Sequence, residues 1–300
     1  MTTSSIPGIS PPSVDLVFAR HETFHPRFGW LKKGYDKAKE NPKIFLENDA
    51  PVVLGVGKNM VRSIRYWCRA FKILEDDRPS EFGKNLLDDE GWDPFLEDPA
   101  SLWLLHWYLL RPTCEAAAWY FTFNLFRGIE FKSENLFQGL VQYRTNQGKN
   151  IVESSLKKDL TCILRMYVES RGEKNVSEDS LDCPFTQLSL IQRGGEAQQY
   201  SFRIGAKMSL PSEIIVAACL QFAAAKGGQK TISLSSLSYE LGSPGLVFKL
   251  PESAIYNAIE DILPAWPKNL NLSDTAGIIQ FSFQDDPNDL ARAILEKYYQ

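Results

Sequence analysis

The stretch Leu54-Gly55-Val56-Gly57-Lys58-Asn59-Met60-Val61-Arg62-Ser63-Ile64-Arg65-Tyr66-Trp67-Cys68-Arg69-Ala70-Phe71-Lys72 decides how this chain is read. A glycine-punctuated turn runs into a segment carrying two different chemistries. Val61, Ile64, Cys68 and Phe71 recur every three or four residues, the spacing of one buried helix face. Arg62, Arg65, Arg69 and Lys72 recur at the same spacing on another face, and no acidic residue falls between Asn59 and Lys72. Ordinary solvated helices also carry Arg and Lys. A run of cations without one acid suits a phosphate backbone better. Gly57, Lys58 and Asn59 would then anchor a phosphate at the helix start, where free N–H groups and the dipole favour negative charge. Ser63 and Tyr66, on or beside the basic face, are expected to reach base edges.

The 300 residues are 44% hydrophobic and 12% aromatic, enough for one sizeable core or two to three small ones. Mean hydropathy is −0.24 and no apolar run is long enough to span a bilayer, so no membrane partner is expected. Residues 1–13, rich in Ser, Thr and Pro, lack the regions of a signal peptide and read as a disordered lead. The five cysteines are scattered and odd in number, none at metal-clip spacing, as in a cytoplasmic protein with reduced, buried thiols. Charge is unevenly placed. Between Phe18 and Asn85 there are 14 Lys and Arg against 9 Asp and Glu, in a chain whose net charge is −4. A basic amino-terminal module can bind DNA inside a mildly acidic protein.

Periodicity and punctuation divide the rest into three modules, 14–98, 99–210 and 211–300. In the first, 26–41 reads as a helix burying Phe28, Leu31, Tyr35 and Ala38. Asn41-Pro42 opens a short helix, the basic helix follows, and Phe82–Leu87 reads as a strand-like wing. In the second, 101–110 is a buried apolar helix, 113–126 another, and Ser133 and Ser154 or Ser155 cap two more. Gly194-Gly195 then separates two strands of a hairpin. In the third, 211–225, 234–241 and 251–263 are helices around a turn at 242–245, and 278–283 alternates as a strand. Asp286-Pro287 starts a last helix. The expected fold is mainly α with small β-hairpins, as tandem winged helix-turn-helix-like modules. The helix 251–263 holds Glu252, Glu260 and Asp261 without a cation, so it is expected to face protein rather than DNA.

His21-Glu22-Thr23-Phe24-His25 spells the H-E-x-x-H pattern of zinc hydrolases. That chemistry needs a helix, so that both imidazoles share a face and the Glu activates a metal-bound water. Pro26 pushes His25 out of the helical region. The alternative is a loop whose Arg20, His21 and Arg27 contact a partner or cap the next helix. Gly55-Val56-Gly57-Lys58 lacks the spacing and the Ser or Thr of a phosphate-binding loop. No nucleophile–base order stands out, so no catalytic residue, metal or cofactor is assigned.

Four blocks carry a family resemblance. They are Phe18-x-Arg20-His21-Glu22-Thr23-Phe24-x-x-Arg27-x-Gly29-Trp30-Leu31-x-Lys33, the Leu54–Trp67 stretch, Gly91-Trp92-Asp93-Pro94 with Leu102–Trp107, and Leu156-Lys157-Lys158-Asp159 with Arg165-Met166-Tyr167. Together they resemble a bacterial domain-of-unknown-function family over nearly the whole chain. That family's opening motif is His-Glu-Thr-Phe, with another residue commonly at the place of His25, which counts further against zinc. Its members are often encoded beside phosphoadenosine-phosphosulfate-reductase-like proteins in DNA-sulfur-modification or phage-defence clusters. The resemblance implies an accessory role rather than an enzyme.

The sequence therefore predicts an accessory protein that binds double-stranded DNA and recruits a phosphoadenosine-phosphosulfate-reductase-like or other defence-system protein, with room for a homodimer. The expected DNA set is Arg20, Arg27, Gly57, Lys58, Asn59, Arg62, Ser63, Arg65, Tyr66, Arg69, Lys72 and Lys84. The competing classes are a protein-only scaffold for a sulfur-transfer enzyme and the zinc hydrolase.

Overall fold

The computed structural model describes residues 17–148, 150–169, 183–227 and 229–300; the expected lead, 1–13, lies outside them. The chain opens with α1 (Trp30–Glu40), α2 (Ala50–Leu54) and α3 (Lys58–Ala70). Gly55 ends α2 in the left-handed region (φ 64), where a missing Cβ avoids strain, and so lets the chain turn into α3. Val61, Ile64, Cys68 and Phe71 are buried, as their spacing predicts; Ile64 and Cys68 pack on Gly34 of α1, and Phe71 stacks on Phe185. Next come the two-residue strands β1 (Leu74–Glu75) and β2 (Arg78–Pro79). Asp76 and Asp77 link them with φ of 48° and 59°, the signature of a tight I′ hairpin.

Residues 82–87, expected as a wing, are instead part of α4 (Glu81–Leu87). Ser80 Oγ accepts from Gly83 N and caps the helix, while Gly83 lets it lie directly on the Ile73 carbonyl. Asn41 ends α1 rather than opening a helix, and residues 44–46 form a single 3-10 turn. Phe28 precedes α1 and is exposed, not part of its buried stripe.

α5 (Pro99–Leu110) is apolar nearly all round and buries ten of its twelve residues. Asp98 caps it and Pro99 sits at its first position. A helix of this kind must be covered on every side. His106 is a satisfied core histidine: Nε2 donates to Val247 O at 3.0 Å, and Nδ1 accepts from Tyr167 Oη at 2.8 Å. Burial pulls its pKa down to about 3. α6 (Ala117–Tyr120) continues as a π turn through Leu125, while residues 113–116, expected as helix, are irregular.

β3 (Glu130–Lys132), α7 (Ser133–Asn146), α8 (Glu153–Tyr167), β4 (Ile191–Arg193) and β5 (Gln199–Phe202) follow. The β4–β5 hairpin is as predicted; β3, paired on the far side of β5, was missed. Helix α7 starts at Ser133, where Asn135 Oδ1 accepts from Lys132 N, and α8 starts after Val152, so the expected serine caps are corrected. The last segment holds α9 (Ser212–Ala225), β6 (Thr231–Ser233), α10 (Leu234–Tyr239), α11 (Pro244–Phe248), α12 (Glu252–Ile262), β7 (Leu270–Thr275), β8 (Ile278–Phe283) and α13 (Pro287–Tyr299). The turn expected at 242–245 continues into α11, capped by Ser243, and α13 starts at the predicted Asp286 cap.

The two three-stranded sheets share one order, β3-β5-β4 and β6-β8-β7. In each a strand opens, helices follow, and a hairpin returns whose second strand pairs with the opener. Buried side chains from Trp30 to Leu295 form one connected core across all three expected modules. No described helix is long and apolar enough to cross a membrane.

Candidate nucleic-acid interface

α3 starts at Gly57, which has an extended backbone and no side-chain cap. The N–H groups of its first turn thus lack intrahelical partners at a point where Lys58 and Asn59 are exposed. Along the basic stripe, only the first cation is largely free. The Arg62 side chain keeps 57% of its exposure and meets only Glu22, at 3.7 Å. Arg65 is half-buried and grips Asp77 with two bonds, Nε to Oδ1 at 2.8 Å and Nη2 to Oδ2 at 2.6 Å. Arg69 lies 3.5 Å from Glu115. Lys72 lies past the helix end at φ 58°, and its Nζ donates to Tyr108 O at 2.6 Å and Arg111 O at 3.0 Å. Burial pulls its pKa down to about 8. The stripe is one pattern in sequence and two in space: an open start, and an end spent on the protein itself.

Ser63 and Tyr66 correct the expected base readers. Both are buried, and the Tyr66 hydroxyl donates to Glu115 O at 3.4 Å. One residue step along a helix turns a side chain by about 100°. Here that step carries 63 and 66 off the cationic stripe and into the core.

The His-Glu-x-x-His segment is a turn, not a helix, with Glu22 at φ 50° and Thr23 at φ 70°. This corrects the hydrolase geometry, since the two imidazoles do not share a helix face. His21 is fully buried, its Nε2 2.9 Å from Asp159 Oδ1 of α8, and its ring packs on Trp67 and Trp119. Asp159 Oδ1 also accepts from Ala19 N, and Trp67 Nε1 donates to Phe24 O. Burial pushes the Asp159 carboxyl above the usual range, against the pull of His21 and the Ala19 amide. No three His, Cys, Asp or Glu side chains among the described residues are grouped to hold a metal ion. The five cysteines are buried thiols, with burial pushing four of them well up.

These bonds hold the loop 19–25 between α3 and α8, and so bring together surfaces far apart in sequence. Arg20 is exposed at its start, whereas Arg27 is half-buried, its guanidinium 5.3 Å from the Trp30 ring and 5.8 Å from that of Phe24. On α8, Lys158, Thr161 and Arg165 form an exposed stripe at helical spacing, with Lys157 beside it. Sequence reasoning missed this stripe; its signal was Lys157-Lys158 ahead of the buried Asp159. Lys84 is exposed on α4, lining a shallow cleft with Asp88, Asp89 and Glu90 rather than with the α3 cations.

The closed end of the basic stripe faces a groove of about 820 Å³ between the α3–β1 corner, α4, α5 and α13. Arg69, Lys72, Arg111 and Arg292 line it together with Glu75, Glu81 and Asp289. In its wall the Phe82 and Tyr108 rings stack at 3.5 Å, and Arg111 lies over Tyr108 while donating to Gln221 Oε1 at 3.0 Å.

Two solved structures resemble the whole chain. One, titled SspB crystal structure, is 40% identical with a TM-score of 0.89, covering 96% of this chain and 89% of that one. Another, titled magnesium ion-bound SspB crystal structure, is 39% identical with a TM-score of 0.88 and the same coverage. No curated protein matches. The family model for proteins of unknown function DUF4007 matches residues 18–299, and the chain belongs to that family.

Proposed function

We propose that this protein is a DNA-binding accessory component of a DNA-modification system of the phosphorothioation type, or of an allied phage-defence system. The observation that carries the reading is the open start of α3. There Gly57, Lys58, Asn59 and Arg62 offer free N–H groups and two cations without a firm internal partner. Arg20 and the exposed Lys158–Arg165 stripe of α8 lie on the two elements that the His21–Asp159 bond joins, and in this reading they extend the surface. Likeness to the SspB structures across 96% of the chain supports the assignment to a DNA-modification system. The shared strand–helices–hairpin order of the two three-stranded sheets supports reading those segments as winged-helix units. A phosphoadenosine-phosphosulfate-reductase-like enzyme or another component of the system is the partner to be recruited.

One observation favours the scaffold reading. The closed half of the stripe borders a groove carrying both charge signs, which suits a protein segment better than a polyanion.

Gel shift of the purified chain on plain and phosphorothioate-containing duplexes tests the proposal, with a supercoiled plasmid and magnesium as a second substrate. Salt-sensitive retardation, weakened in Lys58→Ala/Arg62→Ala, supports it. No retardation at low salt gives the scaffold reading. Relaxation of the plasmid to open circles would overturn the binding-only role.

A further inference from the structure

β7 is an edge strand of the sheet β6-β8-β7. On β8, Phe283 N donates to Lys230 O on the β6 side, and the next amide, Gln284 N, donates to Asn269 O on the β7 side. Backbone groups alternate sides along a strand. With Leu270 opposite Phe283, Asn271 and Ser273 therefore bond β8, whereas Leu270, Leu272 and Asp274 turn their groups outward. Leu270 N–H is taken by Trp266 O at 3.0 Å. Among the described residues, no hydrogen bond uses Leu272 N–H, Asp274 N–H or the Leu270 and Leu272 carbonyls.

Edges are ordinarily guarded by brevity, charge, proline or a bulge. The other edge strands follow that rule. β3, β4 and β6 have three residues each, and Glu130, Lys132 and Arg193 put charge on β3 and β4. β7 is six residues, Leu270-Asn271-Leu272-Ser273-Asp274-Thr275, with no proline, no cation and its single acid near the end. Its ladder with β8 runs from Leu270 to Thr275 without a bulge. Leu272, opposite Phe281, stays only half-buried.

We propose that β7 pairs antiparallel with β7 of a second copy of this chain, across a two-fold axis at Leu272. In this register Leu272 exchanges both backbone bonds with Leu272 of the second copy, and at each end Asp274 N–H donates to the Leu270 carbonyl across the seam. The one outward N–H left over is that of Leu270, already bonded to Trp266. The two half-buried Leu272 side chains cover each other. Charge is complementary as well. Antiparallel pairing sets the end of one β7 beside the start of the other, so Asp274 approaches Lys268 of the second copy, and the axis repeats the contact. Asp274 Oδ1 takes Gly277 N–H at 2.9 Å and leaves Oδ2 for it, while Lys268 is exposed and without an ion pair among the described residues.

Sedimentation velocity of the full chain over a wide range of concentration, without DNA, tests the seam. The parent should pass from monomer to dimer as concentration rises. Leu272→Pro removes an outward N–H and no bond to β8, and should weaken association roughly tenfold or more. Lys268→Glu, an exposed change that turns both attractions into repulsions, should weaken it roughly fivefold with the thermal midpoint of the monomer unchanged. Lys268→Glu/Asp274→Lys should recover much of that loss. Register is read by cross-linking. Asn271 stands opposite Ser273 of the second copy as the close, non-hydrogen-bonded pair, and the native cysteines are buried. Asn271→Cys protein mixed with Ser273→Cys protein should therefore form a disulfide dimer well beyond either variant alone. A chain that stays monomeric at every concentration overturns the proposal and leaves the edge to a strand of another protein. A dimer indifferent to Leu272→Pro and Lys268→Glu, or cross-linked equally by the single variants, also overturns it.

Discussion

His21 Nε2 and Asp159 Oδ1 meet at 2.9 Å inside the core, 138 residues apart in sequence. The bond fixes an irregular amino-terminal loop against α8, and with Trp67 it sets where Arg20 stands relative to α3. Neither His21 Nδ1 nor Asp159 Oδ2 has a hydrogen-bond partner, so the pair carries uncompensated desolvation.

Asp159→Ala should cost about 3–5 kcal/mol, the usual result of removing one partner from a buried pair. Asp159→Asn, which keeps an oxygen for Ala19 N and for an imidazole N–H, should cost much less. The folded carboxyl lies above its unfolded value. Its stabilising contribution is therefore complete below the unfolded pKa and is lost as pH rises through the folded one. Relative to wild type, Asp159→Asn should gain stability as pH rises above the unfolded carboxylate value of about 4. Denaturant midpoints for both proteins as pH rises would show it, and a constant difference would refute the sign.

The apolar α5 supplies a second expectation. Trp107 is 2% exposed and its Nε1 donates to Gln221 Oε1 of α9 at 2.7 Å. Trp107→Ala should cost about 3–5 kcal/mol in urea unfolding. Phe28→Ala, at an exposed position, should stay within about 0.5 kcal/mol of wild type. Equal effects would mean that α5 is not the packed centre of the chain.

Lys72 gives a test at alkaline pH. Its pKa falls from 10.5 to about 8 in the fold because burial penalises the charged form. The fold is thus least helped by Lys72 when both states are protonated, below pH 8, and recovers as pH climbs toward 10.5. The stability of wild type minus that of Lys72→Met should rise over that interval. A flat difference would place the ammonium in free water.

The sequence announces the elements whose signals are local. Asp286-Pro287 caps α13 as read, Asp98-Pro99 starts α5 two residues ahead of the expected helix, and the continuous apolar runs of α5 and α9 identify the buried centre. What misleads is long-range pairing. β3 is three residues long and finds β5 some 70 residues later, so it has no periodicity of its own. Phe82–Leu87 alternates too briefly to tell strand from helix, and the Ser80 cap decides it. In the candidate site, the cationic stripe of α3 is legible, but its fate is not. Arg65 is claimed by Asp77, which the hairpin turn brings back, and Arg69 by Glu115, 46 residues on. Ser63 and Tyr66 were assigned to the wrong side of a boundary only one residue step wide.

That division of the stripe sharpens the salt dependence of DNA binding. Each cation that meets a phosphate releases counterions and adds about −0.9 to the log–log salt slope. Lys58 and Arg62, exposed at the open start, and Arg20, two residues before the Glu22 that meets Arg62, are the exposed cations nearest that start in this reading. Replacing all three by Ala should flatten the slope by about 2.7 and weaken binding to every sequence alike. Stability should hold, because the buried Val61–Ile64–Cys68–Phe71 stripe is untouched. Arg65→Ala should do the reverse. It leaves the buried Asp77 without its two-pronged partner, and so lowers the unfolding midpoint while changing the slope by less than one unit's worth of counterion. Ser63→Ala and Tyr66→Phe should leave any preference among DNA sequences unchanged, since neither side chain reaches the surface. A slope that follows Arg65 and ignores Lys58 and Arg62 would move the DNA to the closed end of the stripe, against the groove.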